Sequence, residues 1–129
     1  MSTEEGFSLA ARARSFGHAF RGVAALLAGQ HNAWIHAAAT VAVVVAGVVL
    51  GVSALEWALL CLAVGLVWLA EGLNTALEAL CDRVAPESHP LVRRAKDVAA
   101  AGVLLAACAA AAAGLFILLP KLLALVGSA

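Results

Sequence analysis

The sequence predicts an all-α membrane protein, with an N-terminal amphipathic helix on the membrane surface and three transmembrane helices behind it. Three observations predict it. The 129 residues are 64% hydrophobic and 12% charged, with a mean hydropathy of +1.01. A soluble domain carries about 25% charged residues, so the surplus apolar surface calls for a bilayer. The apolar runs are unbroken and rich in Ala, Leu and Val, without strand-like alternation, which marks helices and not a barrel. The few polar residues gather into short segments that punctuate these runs.

The length allows one domain, residues 1–129. Eight basic and eight acidic residues cancel, which leaves no basic field for nucleic acid. Cys61, Cys81 and Cys108 are far apart and have neither metal-ligand nor redox spacing. They read as small apolar side chains. No cleavable signal peptide is expected, because Arg12, Arg14, His18 and Arg21 are not followed by a short apolar region with a cleavage site.

The surface helix is expected over residues 7–28. Ser2 or Thr3 would cap its start, with Glu4 and Glu5 favourably placed for the helix dipole. Phe16, Phe20, Val23 and Leu27 recur at helical spacing on one face, and Arg14, His18 and Arg21 on another. Such a helix lies in the interface and does not cross it. Gly29-Gln30-His31-Asn32 breaks the pattern and marks a junction.

The first span is expected over residues 33–52, long enough for the ~30 Å hydrocarbon core. Trp34 and Trp57 would anchor it at the two interfaces. Ser53 is the expected N-cap of the second helix, residues 54–82. Pro86 and Pro90 then enforce a loop. The third span is expected over residues 98–119 and stops at Pro120-Lys121. Its Ala and Gly content lets neighbouring helices approach closely. Arg12, Arg14, Arg21, Arg83, Arg93, Arg94 and Lys96 fall on one side, and only Lys121 on the other. That bias places the N-terminus and the 83–97 segment in the cytoplasm.

The second helix carries an anomaly. Glu71, Asn74, Thr75, Glu78 and Asp82 fall within roughly 60° of one line along it, at ~100° per residue. An ionisable group at membrane depth costs on the order of 2.5–3.5 kcal/mol on insertion scales. The stripe must therefore face protein, water, a metal ion or substrate. Beside it come Arg93, Arg94, Lys96 and Asp97.

Carboxylates and carbonyls suit Mg²⁺, and Lys and Arg suit phosphate oxygens. A carboxylate held deep, as Glu71 would be about 10 Å up the helix from Glu78, suits a general base. Together these parts describe phosphoryl transfer to a lipid hydroxyl, without a Walker or kinase Gly-rich loop. Spacing alone leaves two other readings open. The stripe could carry protons or cations through a small ion-coupled transporter, or be a polar seam that holds an oligomer together.

Glu71-Gly-Leu-Asn74-Thr75-Ala-Leu-Glu78-Ala-Leu-Cys81-Asp82, followed by Ala95-Lys96-Asp97, resembles the small bacterial integral-membrane diacylglycerol kinases. That family also includes the undecaprenol kinases. Ser15-Phe16, Gly22 and the segment from Gln30 to His36 extend the likeness over most of the chain. The resemblance implies a homotrimeric lipid kinase of the bacterial inner membrane that uses ATP and Mg²⁺.

The resemblance also implies roles for individual residues. Glu71 is the catalytic base on the lipid hydroxyl, and Glu78 is a metal ligand that bridges to the nucleotide. Asn74, Lys96 and Asp97 bind nucleotide, with Lys96 on its phosphates, and Asp82 organises the site. Gln30 stands where many members have a metal-binding glutamate, and offers only a neutral carbonyl oxygen. Trp34 replaces a frequent arginine, while Asn32 and Ile35-His36 resemble the undecaprenol-kinase branch. The acceptor is therefore diacylglycerol, giving phosphatidic acid, or undecaprenol.

Overall fold

The structure, a computed structural model, describes residues 8–29, 31–85 and 89–128. The expectations for Ser2, Thr3, Gln30 and Pro86 lie outside the described residues. Four helices follow in order: α1 (Leu9–Gly29), α2 (His31–Val49), α3 (Ala54–Val84) and α4 (Pro90–Gly127). The chain divides into two compact units, α1 in the first and α2–α4 in the second.

Ser8 starts α1: its Oγ accepts the N–H of Ala11 at 3.3 Å. The apolar face of α1 is exposed, with Phe16 and Phe20 open, and Arg21 reaches His18 Nδ1 at 2.6 Å on the basic strip.

α2, α3 and α4 are each long and apolar enough to cross a membrane. α2 ends three residues earlier than the sequence suggests, at Val49, because of how its C-terminus is capped. Gly51 adopts φ +63°, a conformation that favours glycine. The N–H of Val52 then reaches the carbonyl of Gly47 at 3.1 Å, and that of Gly51 reaches Val48 at 3.4 Å. This pair of bonds is a Schellman cap, and Val52, which follows the glycine, is buried.

Ser53 caps α3 as expected. Its Oγ accepts from Glu56 N–H, and the Glu56 carboxylate accepts the Ser53 N–H at 2.6 Å, closing a capping box. Trp57 does not act as a free interfacial anchor. It is half-buried, with its ring against the bare backbone of Gly47. Trp34 is exposed, as an anchor requires.

α4 differs most from expectation, at both ends. It begins at Pro90, eight residues before the apolar run, because proline at the first helical position leaves no needed N–H unpaired. His89 is its N-cap and accepts the Leu91 N–H on Nδ1 at 3.2 Å. Hydropathy marks the hydrocarbon stretch, not the helix, so Arg93, Arg94, Lys96 and Asp97 ride on the first turns of α4. At the far end α4 runs straight through Pro120 to Gly127. Within a bilayer, ending a helix frees several carbonyls with no water to bind them, and continuing past a proline frees fewer. Lys121 secures the overrun by pairing with Glu56 of α3 at 3.1 Å.

α3 and α4 share the most extensive interface, built on Leu60, Val67 and Ala106. Most large apolar side chains on these helices stay exposed, Phe116 and Leu105 among them, as suits surfaces that face lipid. At 1.5 Å per residue the 31 residues of α3 measure about 46 Å, so α3 outreaches the ~30 Å core.

Candidate active site

The polar stripe of α3 faces protein at its inner end and opens outward along the helix. Glu71 is 1% exposed and Asn74 7%; Thr75 and Glu78 are half-buried, and the Asp82 side chain is 69% exposed. A helix repeats every 3.6 residues, so these positions climb one face from the packed middle of α3 to its free end. The gradient gives each carboxylate a different setting.

Three contacts are arranged along this climb. Innermost, Glu71 Oε2 faces His36 Nε2 of α2 at 3.5 Å, and neither atom has a hydrogen-bond partner. One turn further, Asn74 Nδ2 donates to Glu78 Oε1 at 3.3 Å, which leaves Asn74 Oδ1 unpartnered. At the open end the Lys96 ammonium of α4 donates to Asp82 Oδ1 at 2.5 Å, and Glu78 is close enough to act on the same charge. Thr75 Oγ1 is also buried without a partner.

Unpaired buried polar atoms are rare, because each costs about 1–3 kcal/mol. Three of them lie on adjoining turns of α3 and the fourth, His36 Nε2, faces Glu71 from α2, an arrangement suited to binding a ligand.

Among the expected residues, the structure thus brings Glu71, Asn74, Glu78, Asp82 and Lys96 onto one continuous surface of α3 and α4. Asp97 sits exposed one residue beyond Lys96. Two residues take on parts that the sequence reading did not give them. His36, on α2, faces the Glu71 carboxylate. The Thr40 hydroxyl donates to the carbonyl of His36 at 2.7 Å and accepts the indole N–H of Trp68 at 3.0 Å, which ties α3 to α2 beside the site. The available signal was that His36 and Thr40 lie one turn apart on an otherwise apolar helix.

A cavity of about 530 Å³ lies among α2, α3 and α4, bounded by residues such as Val67, Ala110, Gly114 and Leu118. Among the described residues that line it, His36 and Thr40 are the polar ones, and His36 faces Glu71. An apolar space that ends beside a buried carboxylate matches an amphiphile with a polar head and a hydrocarbon chain.

No cluster of three His, Cys, Asp or Glu side chains fit to hold a metal occurs among the described residues. Mg²⁺ does not require one, since it is held by one or two carboxylates together with waters and substrate phosphates. Glu78 and the unpartnered Asn74 Oδ1 are hard oxygen donors of that kind, so the residues fit the ion.

A buried carboxylate, oxygen donors and a lysine at the mouth of a membrane-embedded helix pair are the parts that a phosphotransferase working on a lipid requires. Comparison with known proteins gives the family. The model of the prokaryotic diacylglycerol kinases matches residues 17–118, and the chain belongs to that family. An undecaprenol kinase of Bacillus subtilis (strain 168) is 39% identical over 109 residues, which cover 84% of this chain and 89% of that protein. A diacylglycerol kinase of Synechocystis sp. is 46% identical over 112 residues, 86% of this chain but only 64% of the relative. A diacylglycerol kinase of Escherichia coli (strain K12) is 45% identical over 85 residues, 60% of this chain and 70% of the relative. The chain is therefore a membrane lipid kinase, and the transporter and polar-seam readings fall away.

Proposed function

We propose that the protein transfers the γ-phosphate of ATP to the primary hydroxyl of diacylglycerol, forming phosphatidic acid. The observation that carries this reading is the burial of Glu71 beside an apolar cavity, with Asp82 and Lys96 at the open end of the same stripe. Glu71 takes the proton of the lipid hydroxyl as its oxygen attacks the γ-phosphorus and the bond to the ADP oxygen breaks. Lys96 holds phosphate oxygens, and Asp82 fixes where its ammonium stands. Asn74 orients the Glu78 carboxylate, and Asp97 contributes to the nucleotide side of the site. Mg²⁺, held by Glu78 with the phosphates, would neutralise charge on the transferring group. Gln30 plays at most a neutral part in that coordination.

A second acceptor, undecaprenol, has a specific observation in its favour. The relative matched over 89% of its length is named an undecaprenol kinase. Both lipids present a primary alcohol to the same base. We further propose that the chain resides in the bacterial inner membrane, with its N-terminus and the segment between α3 and α4 in the cytoplasm. Seven of the eight basic residues support that orientation. It works as a homotrimer, because three spans in one protomer leave little room to enclose a nucleotide.

The test is a phosphorylation assay on the purified full chain in mixed micelles, with radiolabelled ATP and either dioleoylglycerol or undecaprenol. Glu71→Gln is expected to lower kcat at least about a hundredfold, the share of a general base, while the protein stays folded. Near-normal turnover in that variant would remove Glu71 from the chemistry.

A further inference from the structure

We infer that His36 is a positioning residue for Glu71: its Nε2–H donates to Glu71 Oε2 and aims the carboxylate at the lipid hydroxyl. The inference rests on Glu71 being the base and adds to that reading a residue from a different helix.

The geometry of the pair carries the argument. The two atoms face each other at 3.5 Å, just beyond hydrogen-bond contact, and both are buried and unpartnered. The His36 side chain is 14% exposed and that of Glu71 1%. A neutral imidazole protonated on Nε2 resolves both unpaired atoms with one bond, after a closure of a few tenths of an ångström. Charge-assisted bonds of this kind are short and directional. One oxygen of Glu71 is then held, and the other is left to meet a hydroxyl.

The surroundings of His36 are built to keep the ring in place. Its carbonyl accepts the Thr40 hydroxyl at 2.7 Å. The Thr40 oxygen in turn accepts the indole N–H of Trp68 at 3.0 Å. Trp68 meets the imidazole edge to face, with ring centroids 6.3 Å apart and an interplanar angle of 69°. Trp68 lies on α3, one turn before Glu71, so α3 carries both the base and the indole that braces the base's partner. The imidazole also forms part of the cavity wall. A lipid head that enters from the cavity meets Glu71 where His36 holds it.

During transfer the proton moves from the lipid hydroxyl to the free oxygen of Glu71, the lipid oxygen bonds to phosphorus, and ADP leaves. His36 keeps its own proton throughout. Its contribution is orientation, and a displacement of about 1 Å at a reacting group can lower a rate on the order of a hundredfold.

The test measures kcat and the KM for ATP of the full chain in mixed micelles, with whichever of dioleoylglycerol or undecaprenol the wild type phosphorylates better. His36→Leu removes the donor. It is expected to lower kcat roughly 10–100-fold, with the KM for ATP within about twofold of wild type. His36→Gln keeps an N–H at similar reach and is expected to recover most of that loss. His36→Asn, whose amide is too short to reach, should behave like His36→Leu and carries the test if the leucine variant does not fold. In a Glu71→Gln background, His36→Leu should cost nothing more, since the two act as a unit.

Three results overturn the inference. The leucine and asparagine variants could keep kcat within twofold, the glutamine variant could fall as far as leucine, or the loss could appear in the KM for ATP alone. If Glu71→Gln itself turns over normally, the base assignment fails and this inference with it. If Glu71→Gln is dead while His36→Leu is fully active, only the role of His36 is lost.

Discussion

Replacing Gly47 by alanine sets two effects against each other, and the structure decides the sign. Glycine in a helix is about 1 kcal/mol less favourable than alanine, so the exchange ordinarily stabilises. At Gly47 an added Cβ would stand 2.6 Å from Trp57 Cη2, 2.9 Å from Cζ2 and 3.2 Å from Cζ3. Those atoms are the edge of a rigid ring, and the ring itself must move. Overpacking of this kind costs about 1–3 kcal/mol, which outweighs the propensity gain, so Gly47→Ala should destabilise by a net of up to ~2 kcal/mol. Gly65 has no atom within 4 Å of an added Cβ, and Gly65→Ala should gain up to about 1 kcal/mol.

The assay is reversible unfolding in mixed micelles, followed by far-ultraviolet circular dichroism. Trp57→Leu should remove the conflict, so that Gly47→Ala becomes stabilising in that background. The coupling between the two sites would be about 2 kcal/mol. A Gly47→Ala protein more stable than wild type, or equal effects in both backgrounds, would refute the packing argument.

Other perturbations read other parts of the structure. Asp82→Asn should raise the KM for ATP several-fold by releasing Lys96, yet leave the unfolding midpoint almost unchanged, because the pair is largely solvated. Titration calorimetry with a non-hydrolysable ATP analogue should show the matching loss of nucleotide affinity without turnover. Ser53→Ala removes the cap of α3 and should cost about 1 kcal/mol in the same unfolding assay. Its kcat should stay unchanged, because Ser53 is at the end of α3 remote from Glu71.

The spans and the polar stripe were legible because both are local. Twenty apolar residues in a row and a repeat of three and four need no knowledge of the fold. Ser53 was legible for the same reason, since a cap acts on the residues just after it. The partner of Glu71 was not, because His36 lies 35 positions earlier and only the packing of α2 on α3 brings them together. Trp57 was misjudged because an indole near a helix end reads as an interface anchor until a glycine is found beneath it. The bounds of α4 were missed because apolar content reports where hydrocarbon lies, whereas helix limits follow from caps such as His89 and from what a bilayer makes of Pro120.

The two longest helices are fastened to each other at both extremities, by Asp82 with Lys96 at one end and Glu56 with Lys121 at the other. Between the clasps the two helices pack along their shared interface, with Leu60, Val67 and Ala106 buried. Packed along their length and paired at both ends, the two helices are expected to answer bilayers of different thickness by tilting together. The depth of Glu71 below the headgroups would then change with tilt, so acyl-chain length in the host membrane becomes a setting on catalysis.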